Sequence, residues 1–324
     1  MTTGPPNKQS FLRKQLRDLS GQSQRWIETW AIGIVEIPVQ DLIRAKEFPE
    51  VRWIEPPRGR AFADPFAATS NGRTYIFFED YDYSRGKTRI SFVETADFKT
   101  FGPVVKALEQ PFHLSYPYTI YHEGQHFMVP EQWQSGEVAL YEAQPFPNQW
   151  VKRATLIPNF PAIDATLFQH EGTWWMFSGK HGPEEEYSLY IHHSDSLFGP
   201  WEPHPINASG AVRRQNRPGG TPFNEGNRLL RPVQDSSKTY GGRVLVNEVT
   251  VLTKYAFKEK LIATLSPQPS WPYTDGLHTL TSLPNGFTII DAKLRMPFSD
   301  YWNDVVRGKG LHMARLLTRM GRKT

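Results

Sequence analysis

Phe62-Ala63-Asp64-Pro65-Phe66, followed by Asn71-Gly72 and then by Thr74-Tyr75-Ile76-Phe77-Phe78, reads as strand, tight turn, strand. An Asn-Gly pair supplies the positive φ that a two-residue hairpin turn requires. The odd member is Asp64, a lone carboxylate inside an apolar strand. Burial of such a group is costly unless it is paired or lines a wet cleft.

The phrase recurs four times downstream. The turn glycines Gly72, Gly124, Gly172, Gly226 and Gly286 each follow Asn or Glu and stand 52, 48, 54 and 60 residues apart. Apolar second strands come after them: Tyr75 to Phe78, Phe127 to Val129, Trp174 to Phe177, Leu229-Leu230, and Phe287 to Ile290. Third strands follow at Arg89 to Glu94, Val138 to Glu142 and Ser188 to His193. A period near 50 residues with three or four strands per unit, and no convincing helix between them, is the signature of an all-β, five-bladed β-propeller. A two-sheet sandwich would not hold so even an interval.

The fifth unit has little room for outer strands, so the ring needs a strand from the other end of the chain. Trp30-Ala31-Ile32-Gly33-Ile34-Val35-Glu36-Ile37 is the expected donor. The resulting division is an N-terminal helical extension over 1–29, the propeller over 30–294, and a basic helical tail over 295–324. The first helix is expected over residues 7–28, with Leu12, Leu16, Leu19 and Trp26 on one face. The second is expected over 301–319, with Leu311, Leu316 and Leu317 as its apolar positions.

Composition narrows the function classes. Cysteine is absent, which removes disulfides and thiolate metal sites. Aromatics make up 13% of the chain, which suits a strand-rich core or a surface that stacks sugar rings. No apolar run approaches the roughly 18 residues of a membrane span. The first thirty residues lack the apolar core of a secretory signal, so a cytoplasmic location is expected. The positive charge is concentrated at the ends. Lys8, Arg13, Lys14 and Arg17 stand at one, and Arg307, Lys309, Arg315, Arg319, Arg322 and Lys323 at the other. Basic ends on a near-neutral middle favour peripheral contact with an anionic membrane surface. Nucleic acid is not an expected partner, because no recognised motif is present and the body is not basic.

The repeat also places the candidate site. Counting back eight from each turn glycine gives Asp64, Tyr116, Asp164, Pro218 and His278. Innermost strands of a propeller line its axis, so Asp64, Tyr116, Asp164 and His278 are expected to converge at one mouth, with Arg217 beside the fourth anchor. Counting forward seven gives a second register, Glu79 and Glu131, followed by Asp80 and Gln132; Gln234 and Asp235 stand in the matching stretch of the fourth unit. Glu131, between Pro130 and the aromatic platform of Trp133, has surroundings suited to raising a carboxyl pKa for general-acid work. Asp291 and Lys293 close the fifth hairpin as weaker signals, and His181, His192 and His193 are expected at the surface. No zinc-type spacing or phosphate-binding glycine loop appears. No cofactor is therefore expected; a divalent ion on the axis, through His278 and the aspartates, is the one metal site the pattern allows.

Phe62-Ala63-Asp64-Pro65-Phe66 and Ala162-Ile163-Asp164-Ala165-Thr166 resemble the first- and third-blade motifs of the furanosidase-type propellers of glycoside hydrolase family 43. The wider series resembles the domain named after the N-terminal part of glucosamine inositolphosphorylceramide transferase. That series runs through His113-Leu114-Ser115-Tyr116-Pro117, Pro130-Glu131, Arg217-Pro218-Gly219-Gly220, Arg231 to Asp235 and Gly276 to Thr279. The resemblance covers about residues 50–293. The hydrolase likeness implies Asp64 as general base and Asp164 as the residue that tunes and orients. The fourth-blade anchor departs from that pattern: Asn216-Arg217-Pro218-Gly219 carries no Glu for the acid. Glu131, or else Glu248, would have to take the role.

Three functions are consistent with these residues. The first is a glycoside hydrolase-like enzyme in which Asp64 activates water and protonated Glu131 assists the leaving group, inverting if the carboxyls stand roughly 6.5–9.5 Å apart. The second is a glycosyltransferase in which Asp64 deprotonates an acceptor hydroxyl while Arg217 and His278 steady the phosphate of a nucleotide- or lipid-linked sugar. The third is a sugar-binding propeller without chemistry. All three take a carbohydrate at the axial mouth, where Tyr116, Trp133, Gln234 and Asp235 join Arg217 and His278 as substrate contacts.

Overall fold

The computed structural model describes residues 26–45, 47–182, 188–209, 216–283 and 285–297. Both expected terminal helices lie almost wholly outside these residues. The exception is Trp26 to Glu28, which are strand rather than the last turn of a helix. Their neighbours Thr29 to Val35 continue the same strand, so the helical pattern there is overridden by pairing into a sheet.

The strands form five four-stranded sheets. The first full blade contains β3 (Arg60–Ser70), β4 (Arg73–Asp82), β5 (Lys87–Thr95) and β6 (Val105–Leu108). The second contains β7 (Ser115–His122), β8 (Gln125–Glu131), β9 (Val138–Ala143) and β10 (Trp150–Ile157). The third contains β11 (Ala162–His170), β12 (Thr173–Lys180), β13 (Tyr190–Ser194) and β14 (Glu202–Pro203). The fourth contains β15 (Phe223–Glu225), β16 (Arg228–Asp235), β17 (Arg243–Leu252) and β18 (Phe257–Leu265). The fifth joins both ends of the chain in the order β19 (Leu280–Ser282), β20 (Thr288–Pro297), β1 (Trp26–Val35), β2 (Val51–Ile54). The protein is therefore a five-bladed propeller, and the compact unit that holds the blades is Trp30–Leu294.

Blades pack face to face, which explains why their central strands read as unbroken apolar runs. Apolar clusters fill the spaces between neighbours. One joins Phe77 and Phe92 to Met128 and Tyr141, and another joins Val129 and Leu140 to Leu167 and Trp174. A third sets Trp175 and Phe177 against Val249 and Phe257. The fourth and fifth flank the composite blade, through Ala31, Leu230 and Ile290 on one side and Ile32, Phe78 and Ile289 on the other. This packing buries His192 and His193, so they are not surface residues. The edge of the His192 ring meets Phe160, and that of His193 meets Trp175.

The inner hairpins turn on Asn71-Gly72, Glu123-Gly124 and Glu171-Gly172, with both residues of each pair at positive φ. One feature recurs upstream of each. The first strand carries a bulge between Ala63 and Phe66, between Ser115 and Tyr118, and between Ile163 and Thr166. The leading bulge residues are Asp64, Tyr116 and Asp164, at φ 53°, 43° and 53°. A bulge bends its strand and re-aims a side chain, so the eight-residue count is a count to an equivalent backbone distortion. The fourth anchor is Pro218, whose ring forbids that φ; there Arg217 supplies the side chain.

Gly72→Ala is expected to cost about 1–2 kcal/mol, the left-handed backbone penalty alone, because no atom lies within 4 Å of the added Cβ. Gly220→Ala is expected to cost several-fold more or to abolish folding, since its Cβ would lie 1.9 Å from the Leu280 carbonyl oxygen. Urea unfolding compares the two, and equal losses would contradict the inter-blade contact at Gly220.

Candidate active site

Each bulge releases an anchor amide from its ladder, and a carboxylate of the preceding blade accepts it. Asp64 N donates to Asp291 Oδ2 at 2.9 Å, Tyr116 N to Asp64 Oδ2 at 3.2 Å, and Asp164 N to Glu131 Oε2 at 3.3 Å. The circuit continues through side chains. Asp164 accepts from Arg217 Nε and, at 3.1 Å, from Arg217 Nη2, while Gln234 Nε2 donates to Asp164 Oδ2 at 2.6 Å. Gly220 N donates to the Tyr116 hydroxyl at 3.0 Å, and Leu280 N donates to Gly219 O at 2.8 Å. Asp64, Tyr116, Glu131, Asp164, Arg217, Gln234 and His278 are all nine-tenths or more buried.

His278 stands between two carboxylates. Its Nδ1 is 2.7 Å from Asp291 Oδ2 and its Nε2 is 3.6 Å from Asp64 Oδ1. Trp30 stacks on the imidazole with centroids 4.0 Å apart. Asp291 also accepts from the amides of His278 and Thr279, and Thr279 Oγ1 donates to Asp64 Oδ1 at 3.2 Å.

Burial is the largest influence on Asp64, Glu131, Glu79, His278 and Asp291. It lifts Asp64 to about 6, against the opposing pull of His278. It pushes Glu131 well above the ordinary range, helped by Asp164, whose carboxyl hydrogen-bonds it, and only partly offset by Arg217. Glu79 is likewise raised well above normal, by burial and then by Asp64, Asp164 and Asp291. Burial opposes charge on His278, yet Asp291 and Asp64 outweigh it and hold the imidazole above its usual value. Asp291 is the mirror case: His278 and the surrounding amides overcome burial and keep its carboxyl low.

Two expected substrate contacts take no part in this circuit. Asp235 is committed to Arg243 Nε at 2.6 Å and to the Ser237 amide at 2.9 Å. Trp133 stacks on His181 with centroids 3.7 Å apart. Glu248, the reserve acid, pairs with Arg228 at 2.7 Å and Lys260 at 3.2 Å, and those partners lower its pKa. Asp80, beside Glu79, is fully buried among Arg60, Arg89 and Ser91.

Other residues of the site were less visible from the repeat. Asp291 was a weak signal because its hairpin is irregular, so counting from Gly286 lands on Lys293 and not on the carboxylate. Glu79 was legible from the second register but not ranked with the anchors. Trp30 and Tyr240 carry no repeat signal, since one arrives from the closing strand and the other from a loop. Arg217 Cζ lies 5.6 Å from the Tyr240 ring centre.

The five-bladed fold is shared with glycoside hydrolase propellers. A GH130 glycoside hydrolase structure, from the family of mannoside phosphorylases and described as targeting β-1,2 mannosidic linkages in Candida mannan, aligns at 13% identity with a TM-score of 0.52, covering 73% of this chain and 84% of that one. An exo-β-1,3-galactanase from Clostridium thermocellum aligns at 9% identity with a TM-score of 0.51, covering 65% and 53%. More specifically, the family model "Glucosamine inositolphosphorylceramide transferase 1, N-terminal" matches residues 57–270, and the chain belongs to this family. The proteins named glucosamine inositolphosphorylceramide transferase 1 are similar to it: that of Oryza sativa subsp. indica at 35% identity over 206 residues, and that of Arabidopsis thaliana at 32% over 203 residues. Each alignment covers 61% of this chain but only 27% and 26% of the respective relative. The chain thus spans about a quarter of the length of these relatives. The matched span includes every circuit residue from Asp64 to Gln234 and ends before His278 and Asp291.

Arg217 is the cation that two buried carboxyls depend on, with Glu131 Oε2 3.6 Å away. Arg217→Met is expected to lose about 3–5 kcal/mol at pH 8, the cost of stranding buried charge. The loss should narrow by pH 5, as Asp64 and Glu131, which both sense the Arg217 charge and are both raised, take up protons. Denaturant unfolding at both values checks this, and a pH-independent loss would mean that the guanidinium contributes packing alone.

Proposed function

We propose that this propeller is a carbohydrate-active enzyme acting on a glycosidic bond at the axial cluster, with Asp64 as general base and Glu131 as general acid. One observation carries the reading. Two carboxyls in one circuit meet different surroundings: His278 pulls against burial at Asp64, which is lifted to about 6, whereas Asp164 adds to burial in pushing Glu131 well above its ordinary range. Pairs of titratable groups whose surroundings separate them in this way are how acid and base roles are divided. Glu131 would donate a proton to the departing oxygen while ionised Asp64 accepts one from water. Asp164, held by Arg217 and Gln234, would orient the pair. Gln234 Oε1 is buried without a hydrogen-bond partner among the described residues, which suits a sugar hydroxyl donor.

A transfer reading shares the site. It is favoured by the transferase name of the similar plant proteins, and Asp64 would then deprotonate an acceptor hydroxyl in place of water. Arg217 is less suited to a phosphate than its position in sequence implies, because Asp164 already engages it bidentately. Neither reading requires a cofactor. Asp64, His278 and Asp291 offer three ligand atoms within 4.8 Å, but both carboxylates already accept a hydrogen bond at each oxygen, so a divalent ion there would have to displace those bonds. The basic residues proposed to meet a membrane lie outside the described residues.

Assayed against a panel of aryl glycosides and glycans, Asp64→Asn and Glu131→Gln should each reduce kcat/KM by at least about 100-fold, the scale of a lost general base or acid. The rate should rise with pH through about 6 as Asp64 loses its proton, and fall again at the higher pH where Glu131 ionises. Turnover only with a sugar donor and acceptor would select transfer. Unchanged kcat/KM in both variants would remove the acid–base assignment.

A further inference from the structure

Tyr240 is 39% exposed, the highest exposure among the aromatic side chains that touch the axial cluster. Its ring meets the edge of His278 at 5.6 Å and of Trp30 at 6.3 Å, and the Arg217 guanidinium lies against it. Its hydroxyl is pushed well up by burial first, and the charges of Arg217, Asp64, Asp164 and Glu131 act on it after that. One side of the residue is therefore wet and the other looks onto the candidate acid and base.

The loop that carries Tyr240 is held with unusual investment. It joins β16 to β17, and its base is pinned by the Arg243–Asp235 pair and by Gly242 N donating to Asp235 O at 3.1 Å. Lys293, fully buried, donates its ammonium to the Tyr240 carbonyl and, at 3.2 Å, to Thr239 Oγ1. Leu277 N donates to Gly241 O at 2.8 Å. Gly241 sits at φ 55°, and a Cβ there would lie 2.8 Å from Trp30 and 2.9 Å from His278 Cβ. Only glycine lets the loop lie this close to the axis. A buried lysine charge and a left-handed glycine are expensive means of fixing a merely decorative exposed ring.

We propose that Tyr240, clamped by Lys293 and Gly241, is a saccharide-stacking platform over the axial carboxyl cluster, presenting its ring to the apolar face of a sugar whose hydroxyls reach the carboxyls below. This rests on the carbohydrate reading of the site and adds the subsite that holds the ring. A rigid aromatic gives large contact area at little entropic cost, because only two torsions need be fixed. Lys293 acts as a positioning residue: its ammonium holds the Tyr240 carbonyl and lies 5.7 Å from the centre of the ring.

The test is saturation-transfer NMR and fluorescence titration with glucosamine, xylobiose, mannobiose and chitobiose, on the full chain. Wild type should bind at least one of them with transfer to its ring C–H protons. Tyr240→Ala should weaken that affinity by about tenfold, the order of a lost aromatic contact, while Tyr240→Phe stays within about threefold. Lys293→Met should also weaken binding, with the C–H transfer from Tyr240 reduced even where circular dichroism and the melting curve show an intact fold. Wild-type affinity retained in Tyr240→Ala, with binding lost in Asp64→Asn, would overturn the platform and leave the carbohydrate reading standing. Absence of binding to all four sugars by wild type would overturn both.

Discussion

A carboxylate accepting the freed amide of the next blade's bulge is the contact on which the centre of this propeller depends. Asp64, Tyr116 and Asp164 hold left-handed backbone that costs about 1–3 kcal/mol each for non-glycine residues. A hydrogen bond returns about 0.5–1.5 kcal/mol to a neutral acceptor and about 1.5–3 kcal/mol to a charged one, so the strain and its cap are of similar size. Neither would persist without the other. The five-fold arrangement makes this an inter-blade contact, because the acceptor for each bulge stands on the blade before it.

The same contact constrains the chemistry. Asp64 cannot swing freely to a substrate, since one oxygen serves Tyr116 and the other serves Thr279. It is preorganised, and it is also kept uncomfortable. Folding raises its pKa from its ordinary value to about 6, so its contribution to stability is present in acid and is lost as pH rises through that value. A difference of this size amounts to about 3 kcal/mol. At neutral pH the protein therefore carries an ionised aspartate at some expense, which is consistent with a site kept for function and not for stability alone.

Glu131 shows the complementary solution. It caps a bulge, but it shares a hydrogen bond with Asp164 and lies near one edge of Arg217, so two acids compete for one guanidinium. The arginine at the fourth anchor thus compensates the cluster in place of the missing glutamate. Arg217 favours the ionised form of Glu131, so the upward push on that second-blade carboxyl comes from burial and from Asp164.

The turn glycines and their upstream anchors suffice for five blades and for the convergence of Asp64, Tyr116, Asp164 and His278. Both follow from periodicity, because equal spacing in a closed ring puts equivalent residues on one axis. What periodicity cannot report is where it is broken. Asp291 sits in a hairpin of irregular length, Tyr240 in a loop and Trp30 at the far end of the chain; the mistaken surface reading of His192 and His193 likewise reflects packing between blades. Protonation was also beyond the sequence, since it depends on which buried groups face one another across blades. Phe62-Ala63-Asp64-Pro65-Phe66 determined by itself that a carboxylate would stand at the axis. Only the tertiary structure decided that this carboxylate would be strained, capped and raised toward neutrality, because every group responsible comes from a different blade.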